Sequence, residues 1–154
     1  MTARFAYDTH SPNPYEPMRA LERYLASCAI EERLIHLVKL RASQLNGCAY
    51  CIDMHWKDLR ALGESEQRLY GLDAWRESPY YTPRERAALD WTEAVTLVAT
   101  SRVPDDVYEA ARAHFDERAI GDLTLAIATI NAWNRLAVAA RDEAGQYESR
   151  LARV

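Results

Sequence analysis

The sequence predicts an all-α protein of one domain with about seven helices. Glycine and proline are sparse, at 5 and 6 of 154 residues, and a turn-rich β-fold needs more of both. Apolar residues recur with the 3.6-residue period of an amphipathic helix along most of the chain. A chain of this length fits one domain. We therefore divide it into an N-terminal arm, residues 1–14, and a helical domain, residues 15–154.

The first half of the helical domain is predicted to contain three helices. The first spans about 15–27, and the second spans 31–46, where leucine and valine side chains form one apolar stripe. Asn46-Gly47 is a stop signal for the second helix, because glycine readily adopts the left-handed conformation of a helix C-cap. The third helix spans about 48–62.

The second half is predicted to contain four helices, the first over about 66–77. The clearest start signal is Thr82-Pro83-Arg84-Glu85, in which threonine caps, proline fits the first helical position and glutamate completes a capping box. That helix runs to about residue 100. Helices over about 104–115 and 119–143 follow. The last is apolar over most of its surface, so we expect it to be buried on several sides.

Charge and hydropathy exclude several classes of partner. The net charge is −4, from 19 basic and 23 acidic residues, and the arginines are scattered, so we expect no nucleic acid partner. We see no apolar run that approaches the length of a membrane span, and no apolar segment of a secretory signal at the N-terminus. We expect a cytoplasmic protein, in which a CxxC pair is catalytic or metal-binding rather than structural.

The stretch SQLNGCAYCIDMH, residues 43–55, carries the chemistry. On a helix, Cys48, Cys51 and His55 stand at i, i+3 and i+7 and share one face. The helix N-terminus favours a thiolate, and the imidazole can take a thiol proton. The motif therefore predicts a redox-active dithiol without a cofactor. The helix dipole favours Cys48 as the attacking sulfur and the histidine favours Cys51, and the residues alone leave this choice open.

Two other interpretations of the cysteines were weighed. A zinc site could combine Cys48, Cys51 and His55 with Cys28 or His36 as the fourth ligand. Zinc clips usually place CxxC in a turn, whereas this pair opens a helix, so we expect no metal. Alternatively, the cysteines are inert, since free cysteine often behaves as a small apolar residue.

The motif resembles the signature of the alkylhydroperoxidase D-like (AhpD-like) family, within the carboxymuconolactone decarboxylase superfamily. The resemblance covers residues 35–62 and continues more loosely through YYTPRERAALDWTEAVT and LTLAIATINAWNRL. It implies an all-α fold that assembles as a homo-oligomer, a trimer or hexamer. It also implies a peroxidase in which Cys51 is the peroxide-reactive thiol, Cys48 resolves the sulfenic acid, and His55 helps to deprotonate the pair.

One position departs from that family. His36 stands where the family has a glutamate of the proton relay, twelve residues before the first cysteine. Glu32, one helical turn earlier, could substitute for the missing acid. A cationic His36 could instead lower the thiol pKa through its charge, or it could be an ordinary packed histidine.

The resulting hypothesis is a thiol-dependent peroxidase of antioxidant defence. Its substrate is a hydroperoxide, and its reductant is an external dithiol protein, lipoyl-bearing or thioredoxin-like. One alternative is a redox-responsive binding or regulatory protein with little turnover, and another is an enzyme like carboxymuconolactone decarboxylase. Tyr50 and Trp56 could form an apolar mouth, while Asn131, Trp133 and Asn134 could line the pocket or hydrogen-bond neighbouring backbone.

Overall fold

The computed structural model of the protein describes residues 2–7, 9 and 13–151, and every regular element within them is helical. The predicted all-α fold of one domain is confirmed. The described residues form eight α-helices and one 3-10 turn, namely α1 Glu16–Leu25, α2 Glu32–Asn46, α3 Ala49–Ala61, α4 Glu66–Tyr70, the 3-10 turn Gly71–Ala74, α5 Pro83–Thr96, α6 Val98–Ser101, α7 Asp105–Arg112 and α8 Glu117–Ala140.

Two predicted helices are interrupted. The helix predicted over 66–77 is the short α4 followed by the 3-10 turn. The helix predicted from Thr82 to residue 100 begins with the expected capping box but breaks at Leu97 into α5 and α6. The Ser101 hydroxyl donates to the Ala94 carbonyl at 2.6 Å, which gives a carbonyl at the break a hydrogen-bond partner.

The core lies where α2 packs against α3, α5 and α8. Burying one leucine or isoleucine side chain contributes about 2 kcal/mol, so the apolar faces of α2 and α8 dominate the stability of this fold. The prediction that the last helix is central is confirmed. The fully buried large aliphatic residues of α2 and α8 are Leu37, Val38, Leu40, Leu123, Ile127 and Ile130.

Helix α8 is long and apolar enough to cross a membrane by length and composition. It is the one such helix in the described part of the chain, and half of the qualifying window is buried inside the protein. The expectation that no apolar segment reaches this length is therefore wrong for α8. Its small side chains allow α1, α2, α3 and α5 to pack around it, as in the core helix of a domain.

Both ends of the described chain pack beside α3 and α8. The backbone N–H of Arg4 donates to the carbonyl of Ala140 at 2.8 Å, and the Tyr7 hydroxyl donates to Asp142 at 2.5 Å. Near the C-terminus, Lys57 donates to the carbonyl of Tyr147 at 2.9 Å. The division into an arm, 1–14, and a domain, 15–154, stays a prediction, because Met1, Asp8 and residues 10–12 and 152–154 lie outside the described residues.

Candidate functional site

The turn between α2 and α3 places the two cysteines. Gly47 has a φ of 65°, as predicted for the stop signal, and its N–H donates to the Gln44 carbonyl. Cys48 is consequently the N-cap of α3 rather than its first helical residue. Its sulfur accepts a hydrogen bond from the backbone N–H of Cys51, with an N···S distance of 3.3 Å.

The two thiols form a hydrogen-bonded pair in the buried interior. Both are free cysteines, and each is 1% exposed. The Cys51 thiol donates to the Cys48 sulfur, and this bond is the main reason that the pKa of Cys48 falls from 9.0 to about 7. The Cys51 N–H and the Asn134 side chain lower it further, against the opposing effect of burial. The pKa of Cys51 is raised well above its usual range by the same hydrogen bond, by burial and by the charge on Cys48.

Asn134 connects the cysteine pair to the rest of the core. Its amide donates to the Ser43 hydroxyl at 3.0 Å, and its oxygen accepts from the Asn46 amide at 2.9 Å. Asn46 also donates to the Asn131 side chain at 3.0 Å. The sequence left open whether Asn131 and Asn134 line the pocket or form hydrogen bonds with neighbouring backbone. Both form hydrogen bonds, and their partners are mostly side chains. The network fixes α8 against the turn that presents the cysteines.

A cavity of about 400 Å³ adjoins the pair. Cys51 is among its lining residues and Cys48 is not, so Cys51 is the member of the pair beside the cavity. Trp133 also lines it, as the sequence suggested. The lining set is aromatic and aliphatic with several charged groups, namely Tyr7, Tyr15, Arg19, Glu22, Leu25, Ala26, Glu32, Ile35, His36, Lys39, Tyr50, Cys51, Met54, His55, Asp58, Ile130, Trp133 and Ala137.

His36 and His55 face each other across α2 and α3. Their Nδ1 atoms are 3.1 Å apart, and His36 Nδ1 lies 3.6 Å from Asp58 Oδ2. The other Asp58 oxygen accepts a hydrogen bond from the Tyr147 hydroxyl at 2.9 Å. Burial lowers the pKa of His36 to about 4, despite the opposing charge of Asp58, and places the pKa of His55 well below its usual value. Both imidazoles are therefore neutral at physiological pH.

These contacts correct two expectations for position 36. A cationic His36 is wrong, because burial keeps the imidazole uncharged. The acid beside it is Asp58 rather than Glu32, although Glu32 also lines the cavity. Asp58 was not predicted as a site residue. It stands at i+3 from His55, however, and this spacing indicates that the two side chains share one face of the helix.

A charged pair forms another part of the cavity wall. Lys39 is only 4% exposed, and its Nζ lies 2.5 Å from Glu22 Oε2. The other Glu22 oxygen accepts from the Trp133 indole at 3.1 Å. This contact joins α1, α2 and α8. Sequence reasoning did not identify Glu22 or Lys39, because no spacing relates residues on different helices.

The remaining predicted residues lie apart. Cys28 packs against the main core, whereas Cys48 and Cys51 belong to a smaller cluster with Tyr50 and Trp133, so Cys28 lies in a different cluster from the pair it was considered to join as a fourth zinc ligand. Trp56 stacks on Tyr70 at a centroid distance of 6.5 Å and does not line the cavity; of the proposed aromatic mouth, Tyr50 is the member that does.

The site is thus a buried CxxC dithiol at the N-terminus of a helix, beside a cavity with a neutral histidine pair, in an all-helical fold. Residues 14–94 match the carboxymuconolactone decarboxylase family. The chain belongs to this family, and specifically to its AhpD-like members. The predicted resemblance is confirmed.

Three relatives illustrate the similarity. The uncharacterized protein YdfG of Bacillus subtilis is 45% identical over 139 residues, which cover 90% of this chain and 95% of YdfG. The crystal structure of ATU0492 from Agrobacterium tumefaciens, a protein of unknown function whose name relates it to the antioxidant defence protein AhpD, is 47% identical, with a TM-score of 0.91 and coverage of 95% and 100%. A peroxidase-related protein from Ralstonia eutropha shares the fold at 22% identity, with a TM-score of 0.78 and coverage of 89% and 73%.

Proposed function

We propose that the protein is a thiol-dependent peroxidase that reduces organic hydroperoxides with Cys48 and Cys51. The observation that carries the proposal is a hydrogen-bonded dithiol of which one member, Cys51, lines a cavity. The name of the Agrobacterium relative, which refers to antioxidant defence, agrees with this proposal. The lactone-processing alternative has no need of such a pair.

At pH 7 about half of the molecules carry one negative charge on the pair, because the pKa of Cys48 is about 7. Its remaining proton lies on Cys51, which donates to the Cys48 sulfur. Transfer of this proton to Cys48 moves the charge to Cys51, the cysteine that lines the cavity. Cys51 is therefore the attacking thiol and Cys48 the resolving thiol. The hydrogen bond from the Cys51 thiol determines where the charge rests, and the cavity determines where the peroxide reacts.

The two thiols supply the two electrons that reduce the peroxide. The Cys51 thiolate attacks the peroxide, a sulfur–oxygen bond forms as the O–O bond breaks, and the alkoxide takes the proton of the Cys48 thiol to become the alcohol, which leaves Cys48 as a thiolate. The Cys48 thiolate then attacks the sulfenic acid sulfur, and a disulfide forms as hydroxide leaves and becomes water. The pair loses two electrons, which the peroxide gains. An external dithiol protein, lipoyl-bearing or thioredoxin-like, reduces the disulfide by exchange.

His55 and His36 line the same cavity as Cys51, although neither imidazole is hydrogen-bonded to a thiol, and we assign them the transfer of protons to the departing oxygens. A neutral imidazole accepts a proton at one nitrogen and releases one from the other. His55 Nδ1 faces His36, while its buried Nε2 has no hydrogen-bond partner among the described residues. Asp58 stabilises the extra proton when it reaches His36. The pair thus replaces the missing glutamate.

The cavity favours a hydroperoxide with an apolar body. Tyr7, Tyr15, Tyr50 and Trp133 supply aromatic walls, which an organic substrate would cover and hydrogen peroxide would not. From the family resemblance we also propose a trimer or hexamer. A reactive dithiol without a structural disulfide further favours a cytoplasmic location, where thiols stay reduced.

The test is peroxide consumption by the purified protein. With dihydrolipoamide as reductant, we expect steady turnover of cumene hydroperoxide, its loss in Cys51→Ser, and a trapped sulfenic acid in Cys48→Ser. Cys28→Ser is the matched control, because Cys28 packs against a different part of the core. Absence of turnover with every dithiol, or full activity of Cys51→Ser, contradicts the proposal. A disulfide that changes the oligomer without turnover instead indicates a redox-responsive regulator.

A further inference from the structure

We infer that His36, His55 and Asp58 form a binding site for a divalent transition metal ion such as Zn²⁺, at the wall of the cavity. Their ligand atoms all lie within 4.8 Å of one another, and all three residues line the cavity. Two imidazoles and one carboxylate are a common ligand set for such ions, and the cavity leaves room for a further ligand.

The distances fit coordination around one ion. Ligands about 2.0–2.1 Å from zinc in a tetrahedron are about 3.3 Å apart from each other. His36 Nδ1 is 3.1 Å from His55 Nδ1 and 3.6 Å from Asp58 Oδ2, which lie on either side of that value, and the separation of His55 from Asp58 is within 4.8 Å. The three side chains come from α2 and α3, which pack directly against each other. Binding an ion therefore needs side-chain movement that draws the ligand atoms of His55 and Asp58 to about 3.3 Å from each other.

Without an ion, the three facing ligand atoms of the cluster have too few protons between them to form hydrogen bonds with one another. Two facing Nδ1 atoms can share one proton, and the nearby Asp58 Oδ2 brings a third lone pair to the same point. A divalent cation can accept a lone pair from all three ligand atoms at once, whereas one shared proton can bridge only two of them.

An outer contact holds the carboxylate in place. The Tyr147 hydroxyl donates to Asp58 Oδ1 at 2.9 Å, which leaves Oδ2 directed at His36. Hydrogen bonds of this kind orient metal ligands and raise affinity. Tyr147 lies in the C-terminal segment after α8, so this segment becomes a positioning part of the site.

The site differs from a cysteine zinc clip, because its ligand set contains no sulfur. Metal binding itself is independent of the proposed peroxidase activity. If both proposals hold, however, a bound ion removes His36 and His55 from proton transfer. We then expect the ion to inhibit peroxide reduction reversibly, with recovery after chelation.

The experiment is a titration of the reduced, metal-free full-length protein with Co²⁺ alone, followed by absorbance. We expect one Co²⁺ per chain with visible d–d bands and no sulfur-to-metal charge-transfer band. His36→Ala and Asp58→Asn should each weaken binding at least about tenfold. His114→Ala is the control, since His114 is exposed and distant in sequence from the cluster.

Three results of this titration would contradict the proposal that His36, His55 and Asp58 bind a metal ion. They are no saturable Co²⁺ binding, a charge-transfer band that assigns the ion to the cysteines, and variants that bind as tightly as the wild type. Asp58→Asn is nearly isosteric and keeps an acceptor for the Tyr147 hydroxyl, so circular dichroism should show an intact fold. Because the readout is metal binding, a protein without peroxidase activity still tests it.

Discussion

The Cys51 thiol should control the ionisation of Cys48. The pKa of Cys48 lies at about 7 instead of 9.0, a preference for the thiolate of about 3 kcal/mol, and the hydrogen bond from the Cys51 thiol is its largest cause. In a Cys28→Ser background, Cys51→Ala removes that donor, while Cys51→Ser replaces it with a hydroxyl. Only Cys48 then titrates as a thiol.

We expect the alanine variant to raise the Cys48 pKa by about one pH unit or more relative to the serine variant, which means about a tenfold smaller thiolate fraction near neutral pH. The assay is the rate of alkylation by iodoacetamide against pH, together with the ultraviolet absorbance of the thiolate. Both variants keep the backbone N–H of residue 51 that also bonds the sulfur. Equal pKa values in the two variants would refute the reasoning.

Three further predictions concern residues around the site and the fold. Asn134→Ala should slow Cys48 alkylation near neutral pH about fivefold, because it removes a hydrogen bond of about 1 kcal/mol to the thiolate; an unchanged rate contradicts this. Glu93→Gln should lower the free energy of urea unfolding by about 2 kcal/mol, since Glu93 accepts from Arg41 at 2.8 Å and from Trp75 at 2.7 Å, whereas full stability would show that the charge is unnecessary. Thr82→Ala should cost about 1 kcal/mol of stability through the lost capping box, and Thr82→Ser should restore most of it.

Local signals in the sequence were sufficient for most of the fold. The capping box at Thr82 and the stop at Gly47 depend on neighbouring residues only, and the structure contains both. The break at Leu97 was not predicted, because no proline or glycine marks it. It depends on a hydrogen bond from Ser101 that forms only after the chain turns.

The candidate site was predicted in part for the same reason. Cys51 and His55 lie on α3 and Cys48 is its N-cap, so sequence spacing was sufficient to relate these three residues. The contacts of His36 with Asp58 and of Lys39 with Glu22 join residues from different helices and depend on how α1, α2 and α3 pack. A single sequence gives no periodicity for such pairs.

The most direct test of the central claim is a single-turnover reaction between the reduced protein and one equivalent of cumene hydroperoxide. We expect one molecule of cumyl alcohol per chain, the loss of two thiols, and a mass decrease equal to two hydrogen atoms within the peptide that carries Cys48 and Cys51. Consumption of the peroxide with both thiols still free, or oxidation confined to Cys28, would contradict the account.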